Sequence, residues 1–515
     1  MGTSPPLPST PSRAYSAYAL GLLALLNFLN YLDRNIIFAL FEPIKRDLGF
    51  SDAQLGWLGS AYIIVFSVAA LPLGVLSDLR SRRAVIAGGV FLWSLSTALS
   101  GLARGFWQLF SFRAAVGVGE AAYGPAAQSL VADYYPGRGR AIAMSLLASG
   151  IALGGVLGIL LGGAIEEIWG WRGAFFVAAV PGFVLALLVA RLRDPTRPPA
   201  PISVRRSLRQ FEIGLFKLIE ECVPLLVGAY IGGVAALVLH SVFGADSRLD
   251  AAALATGITI GLAVNIVFWV RKLRAQGLED SAFAGGVSTT WDEIIGAVHT
   301  VMRTPSLVFM FVGGALISFG NNGLVGWAPT FTARELGLTP AESAVLLGKW
   351  GLISGTAGTL FGGVVAEWLG RYTEKARVLI TGFGHTIGGA LALWLLTIRD
   401  LELFVPVFCA AFFCLTWYNG PMAAAIFDVV PARIGATVMG AYLLFIHLAG
   451  DAIALPLVGT LSDSFGLDRA ILVLPGAAFL GGLVIFGSAR TVKRDMAWVL
   501  SRTTTSHPAI KAPVT

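Results

Sequence analysis

The sequence predicts an all-α membrane protein on three observations: apolar runs long enough to cross a bilayer, basic residues gathered in alternate turns, and a second half that repeats the first. Of 515 residues, 56% are hydrophobic and only 13% charged, with a mean hydropathy of +0.75. A soluble protein carries about a quarter charged residues. Here the charges cluster between apolar runs, the pattern of repeated spans. The 62 glycines fit close helix packing. The net charge of +7 comes from basic residues at the ends of apolar runs. Topology explains it without a nucleic-acid partner. Cys222, Cys409 and Cys414 lie in or beside apolar segments with no metal-ligand spacing, and read as small apolar residues. Without a nucleotide loop, zinc spacing or nucleophile elbow, no enzyme activity, metal or cofactor is expected.

A span takes about 20 mostly apolar residues. Such runs lie near 15–40, 53–76, 84–102, 107–132, 141–165 and 172–192, and again near 306–332, 341–366, 376–398, 401–427, 434–460 and 469–489. Two further runs, 223–243 and 251–270, bring the expected total to fourteen. The expected organisation is a disordered tail over 1–14, a six-helix bundle over 15–193, a linker over 194–305 with the two extra spans, a second bundle over 306–495 and a disordered tail over 496–515. The tail over 1–14 is Pro/Ser-rich and the first run continues to a full span, so no cleavable signal peptide is expected. Within the linker, Trp291, Ile294, Ile295, Val298 and Val301 suit an amphipathic helix on the membrane surface.

Lys and Arg set the orientation. Arg80, Arg82 and Arg83 follow the second run, Arg138 and Arg140 the fourth, and Arg191 and Arg193 the sixth. The alternate turns are poorer in basic residues: Lys45 and Arg46 with Asp47, a single Arg104, and Glu166 with Glu167. Both termini are therefore expected in the cytoplasm, and the two extra crossings keep that parity.

The internal repeat defines the architecture. Gly74-Val-Leu-Ser-Asp78 recurs as Gly363-Val-Val-Ala-Glu367, an offset of 289 (363 minus 74). Gly124-Pro125 recurs as Gly420-Pro421, and Gly163, Glu167 and Gly170 as Gly459, Asp463 and Gly466, an offset of 296 (420 minus 124; 459 minus 163). Each match falls on the same membrane side, so the repeat is parallel, a form found in secondary transporters.

Charges inside apolar runs cost at least ~2.5–3.5 kcal/mol each on insertion scales, so they pair or line water. Asp33 and Arg34 interrupt the first run; Arg113 and Glu120 interrupt the fourth, seven residues apart and on one helix face. The repeat sets Asp33 opposite Asn322, which confines the charge cluster to the first half. Asp33 and Glu120 are read as a protonatable pair tuned by Arg34 and Arg113, with the proton as coupling ion. A fixed ion-pair network is the structural alternative.

Several residues resemble a known family. Gly74-x-Leu76-x-Asp78-x-x-x-Arg82-Arg83 resembles the cytoplasmic signature of the major facilitator superfamily, with Ser81 where glycine is usual, and Arg113-x-x-x-Gly117-x-Gly119 resembles its second signature. Asn30-Tyr31-Leu32-Asp33-Arg34, Arg113 through Glu120 to Tyr123, Asn419-Gly420-Pro421, and His447 through Asp451 to Gly459-x-x-Ser462-Asp463 resemble a bacterial member of the Spinster family of lipid transporters. The resemblance implies the major facilitator fold, two six-helix bundles in alternating access, here with two extra helices, in the plasma (bacterial inner) membrane. It also implies a cytoplasmic gate latch at Gly74, Asp78, Arg82 and Arg83, for which Asp133 is the partner expected at the cytoplasmic end of the fourth span.

Residues placed for a substrate cavity are Asn30, Tyr31, Tyr123, Asn321, Asn322, Trp327, Lys349, Trp417, Tyr418, Asn419, His447 and Asp451. Arg113 and Lys349 suit an anionic head, Trp327 and Trp417 an apolar chain. The expected activity is transport of a lysophospholipid or sphingoid lipid by a monomer. A proton-coupled symporter of small organic anions and a nontransporting membrane sensor are the alternatives.

Overall fold

A computed structural model of the chain describes residues 12–79, 81–135, 140–194, 301–430 and 435–505, with scattered positions between 256 and 267. Helix α1 (Arg13–Ala39) starts at Ser12, whose hydroxyl accepts the Tyr15 N–H. Helix α2 (Phe41–Leu48) ends at Gly49, whose φ of 68° suits a residue without Cβ. Helices α3 (Asp52–Leu79) and α4 (Arg82–Ser100) follow. The fourth run is broken into α5 (Phe106–Ala121) and α6 (Gly124–Tyr134), with a proline in the first turn of α6, where a missing N–H costs nothing. Helix α7 (Arg140–Ala190) holds two expected crossings, divided at Gly170 by φ 69° and ψ 172°.

The second half repeats this plan. It comprises α8 (Pro305–Glu335), α9 (Pro340–Gly370), α10 (Ala376–Leu395), the broken pair α11 (Leu401–Leu415) and α12 (Pro421–Asp428), then α13 (Gly435–Ile446). A π-helical turn (His447–Asp451) leads into α14 (Ala452–Phe465), followed by α15 (Leu467–Ala470), α16 (Val473–Ser488) and α17 (Val492–Thr505). The α11–α12 break at Gly420-Pro421 matches the α5–α6 break at Gly124-Pro125, so the repeat extends to where helices stop.

Nine helices among the described residues are long and apolar enough to cross a membrane. Helix α7 counts once there for two crossings, and the broken pairs α5–α6 and α11–α12 are each too short in their pieces; with these, all twelve expected runs of the two halves are helical. The run 223–243 lies outside the described residues, as does most of 251–270. The chain divides into two compact units, Met1–Thr196 with Gly296–Thr515, and Arg197–Ile295. The tail expected to be disordered from 496 is instead helical as far as Thr505. Helix α17 is docked through Asp495, whose Oδ2 accepts the Ser306 N–H (3.1 Å) and hydroxyl (2.7 Å) at the start of α8.

Burial shows how the halves meet. On the side that carries Tyr15 and Tyr134, the first half has its own core around Leu23, Trp93 and Val189. The second half has a separate core there around Met310, Ile426 and Val492. At the opposite end one cluster joins both halves, with Ile36, Phe41, Trp327, Phe331 and Leu455 in continuous contact. Helices α1 and α7 approach through Gly150, Gly154, Gly158 and Gly162; a Cβ on Gly154 would stand 2.2 Å from the Phe28 carbonyl oxygen. Such spacing lets backbones touch where lipid supplies no hydrophobic drive.

Candidate functional site

The four embedded charges come together between α1 and α5 as crossed pairs. Arg34 Nε donates to Glu120 Oε2 at 2.6 Å. Arg113 Nη1 lies 3.5 Å from Asp33 Oδ1, and its Nη2 donates to the Asp33 carbonyl at 3.3 Å. Asp33 Oδ2 also accepts the Thr97 hydroxyl of α4 at 2.5 Å. The two carboxylates therefore each hold a guanidinium rather than each other. Arg34 is further held over the rings of Phe66 (4.5 Å), Tyr31 (4.8 Å) and Tyr62 (5.5 Å).

Burial here is nearly complete: Arg113 is 0%, Asp33 1% and Glu120 1% exposed. Buried ions are stable only when well paired. Yet Asn30 Nδ2, Asp33 Oδ1, Arg113 Nε and Nη1, and Glu120 Oε1 have no hydrogen-bond partner among the described residues. Such atoms cost more in a low-dielectric interior than on a surface, so the cluster is only partly satisfied. Arg113 is sealed, which removes it from the head-group role the sequence suggested.

The second half has a buried carboxylate of its own, contrary to a charge cluster confined to the first half. Asp451 is 4% exposed. Its Oδ1 accepts the Asn322 amide at 2.9 Å and the Ser318 hydroxyl; its Oδ2 lies 2.7 Å from His447 Nδ1. Asn322, the repeat mate of Asp33, thus serves a carboxylate instead of being one. The pair lies in the π-helical turn, a feature frequent at functional sites. Nearby, Asn321 Nδ2 lies 3.3 Å from His385 Nε2, and His385 Nδ1 donates to the Thr381 carbonyl at 3.1 Å. Tyr418 packs edge-on against His385.

Other expected cavity residues divide. Tyr123 is packed in the core of the first half, its hydroxyl donating to the Leu23 carbonyl at 2.6 Å. Trp327 is fully buried between the halves, against Phe41, with its indole N–H donated to the Leu455 carbonyl. Neither is an open wall, because both are consumed by packing. Trp417 is half-buried, tilted against Phe361 and edge-on to Phe413, and Asn419 is exposed and donates to Thr359. Asn30 is buried and Tyr31 half-buried beside Arg34. Lys349 is exposed on α9, its ammonium 4.8 Å from the Trp350 ring.

At the signature turn, Arg82 donates to Asp133 (2.5 Å), Ser129 and, bifurcated, Asp194 (2.7 and 3.1 Å). Arg83 donates to the Leu192 carbonyl at 2.8 Å. All of these partners belong to the first half. Gly74 lies within α3; the Asp78 side chain lies outside the described residues. Sequence reasoning missed Asp194, read as the first linker residue, and Thr97, a hydroxyl with no charge to mark it.

The family model described as Major Facilitator Superfamily matches residues 23–221 and 223–453. An MFS-type efflux pump of Mycolicibacterium smegmatis is 28% identical over 482 residues, covering 90% of each chain. The sphingosine-1-phosphate transporter SPNS2 of Mus musculus is 24% identical over 90% of this chain and 76% of its own. Protein spinster homolog 1 of Homo sapiens is 24% identical over 90% and 79%. Among solved structures, a bacterial homologue of the human lysosomal transporter Spinster, inward-facing and occupied, has a TM-score of 0.70 at 20% identity, covering 94% of this chain and 99% of that one. The matched family model spans most of both bundles and the relatives are transporters rather than enzymes, so the chain belongs to the Major Facilitator Superfamily as an integral membrane transporter.

Proposed function

We propose that the protein moves an amphiphilic lipid, a lysophospholipid or a sphingoid lipid, by alternating access linked to protons at Asp33 and Glu120. The observation that carries the coupling is the partly satisfied pair of ion bridges between α1 and α5. Protonating either carboxylate frees a buried guanidinium, which ties proton binding to a change in packing. The lipid class is supported by similarity to transporters named for sphingosine-1-phosphate. Lys349, exposed within a spanning helix, supplies a cation for an anionic head. His447 and Asp451 supply a second polar group in the other half. The protein acts as a monomer in the plasma membrane with both termini cytoplasmic, the arrangement favoured by the basic turns.

Symport of small organic anions is the competing reading, and the same Lys349 favours it. Flux into proteoliposomes, with and without a pH gradient, separates the two. A lysophospholipid or a phosphorylated sphingoid base should be carried and should compete, whereas a short carboxylate should not. Asp33→Asn and Glu120→Gln should abolish or uncouple flux while leaving folded protein. Full pH-dependent flux in both variants overturns the proton role.

A further inference from the structure

The guanidinium that Glu120 holds has a second set of partners, all of them aromatic. Arg34 stands over the rings of Phe66 at 4.5 Å, Tyr31 at 4.8 Å and Tyr62 at 5.5 Å. Each lies within the ~6 Å over which a ring face attracts a cation. The Tyr62 ring is also 6.0 Å from the Arg113 guanidinium, so both cations of the cluster share it.

Two helices build this cage. Tyr62 and Phe66 are four residues apart on α3, and Tyr31 is three before Arg34 on α1, spacings that set side chains on one helix face. Gly117 lets α3 come close to α5: a Cβ there would stand 2.5 Å from the Tyr62 carbonyl oxygen and 3.0 Å from the Phe66 nitrogen. The glycine of the second signature thus fixes where the two rings stand relative to Glu120, one helical turn further on.

When a proton adds to the Glu120 carboxylate, Arg34 keeps its charge, because arginine does not deprotonate in proteins. Its side chain is only 13% exposed, too little for full hydration. Asp33 is already engaged by Arg113 at 3.5 Å and by the Thr97 hydroxyl. The remaining groups that act on Glu120 are Arg113 on its own helix, Asp33 on α1 and Tyr62 on α3, and Tyr62 in turn faces Asp451 of the second half. A ring face attracts a bare cation more than one neutralised by a carboxylate, so the cage matters most when Glu120 is neutral.

We propose that Tyr31, Tyr62 and Phe66 are positioning residues that retain Arg34 while Glu120 is protonated, so that the ion pair opens and re-forms with the guanidinium in place. The link to coupling rests on the proton-linked reading above; retention of the cation does not.

Melting of the purified protein in detergent tests retention without transport. Phe66→Leu keeps an apolar side chain and removes the ring face. Its drop in melting temperature should be about twice as large in a Glu120→Gln background as in the parent, and smallest in Arg34→Gln, where the cage holds no cation. Tyr62→Leu should follow the same order, whereas Tyr62→Phe, which keeps the ring, should change little in any background. Equal drops in the three backgrounds overturn the cage. Should Phe66→Leu fail to fold, the Tyr62→Leu series decides by the same order. In proteoliposomes, Phe66→Leu should need a proton concentration about threefold to tenfold higher for half-maximal flux, and Tyr62→Phe should match the parent. An unshifted pH profile refutes the link to coupling. Parent flux without any pH dependence sinks the proton-linked reading, and the melting order still decides the cage.

Discussion

Removing one charge of the Arg34–Glu120 pair should be more harmful than removing both. The contact is 2.6 Å, with the Glu120 side chain fully buried and the Arg34 side chain 13% exposed. Truncating one partner of a buried pair costs about 3–5 kcal/mol, because the other charge is left uncompensated. The slight exposure of Arg34 and its ring contacts argue for about 3 kcal/mol in Glu120→Gln, the lower end of that range. Arg34→Gln should cost a similar amount by stranding Glu120. The double variant strands neither, so it should cost no more than either single, a coupling of about 3 kcal/mol. Melting of the purified protein in detergent reads this directly: each single variant should melt several degrees lower, the double no lower than the singles. Additive losses would refute the pairing as the determinant of stability.

Three further outcomes follow from the geometry. Gly154→Val places a Cβ 2.2 Å from the Phe28 carbonyl oxygen between two helices, so it should lower the yield of folded protein sharply, whereas Gly105→Ala, with open space around it, should not; fluorescence size-exclusion profiles compare them. Asp495→Ala removes the acceptor of the Ser306 N–H and hydroxyl and should destabilise by about 1–3 kcal/mol, read as a lower melting temperature and faster proteolysis after α16. Asp47, outside the spans, is held below the usual carboxylate range by hydrogen bonds from Arg172 and Trp171. Its stabilisation is complete above the unfolded value of about 3.9 and fades as pH falls through the lower folded value, so Arg172→Met should lower stability slightly near pH 7, as befits an exposed pair, and the difference from the parent should vanish in acid.

The sequence was most informative where cost forces a pattern. A charge inside an apolar run must be accommodated, so Asp33, Arg34, Arg113 and Glu120 stood out, and helical periodicity put Arg113 and Glu120 on one face. Which carboxylate meets which guanidinium depends on how α1 crosses α5, and spacing along one helix carries no information about that. Uncharged partners were invisible for the same reason: nothing distinguishes Thr97 or Ser318 from other small residues until a neighbouring helix brings an acid to them. Trp327 was misplaced because hydropathy gives depth in the membrane but not direction: its ring packs on Phe41 of the other half and its N–H is spent on the Leu455 carbonyl of its own. The repeat was legible through glycines and prolines, whose steric demands are local; that its Gly-Pro pairs also break the helices emerged only from the structure.

The ion pairs fall into two sets that must behave differently when the bundles move. Asp33, Thr97, Arg113, Arg34 and Glu120 all belong to the first half, so a rigid rotation of one bundle leaves their contacts intact, and only a change of charge disturbs them. Glu42, Asp52, Arg334 and Asp463 link the halves, so the same rotation breaks them. The crossing groups lie at a helix-end surface and regain water when separated, which keeps their loss within the few kcal/mol a reversible gate can tolerate. The inner set has no such refuge: exposing or unpairing it within the membrane costs more. On the proton-linked reading proposed above, the mechanical break lies at the surface and the chemical trigger inside one rigid bundle.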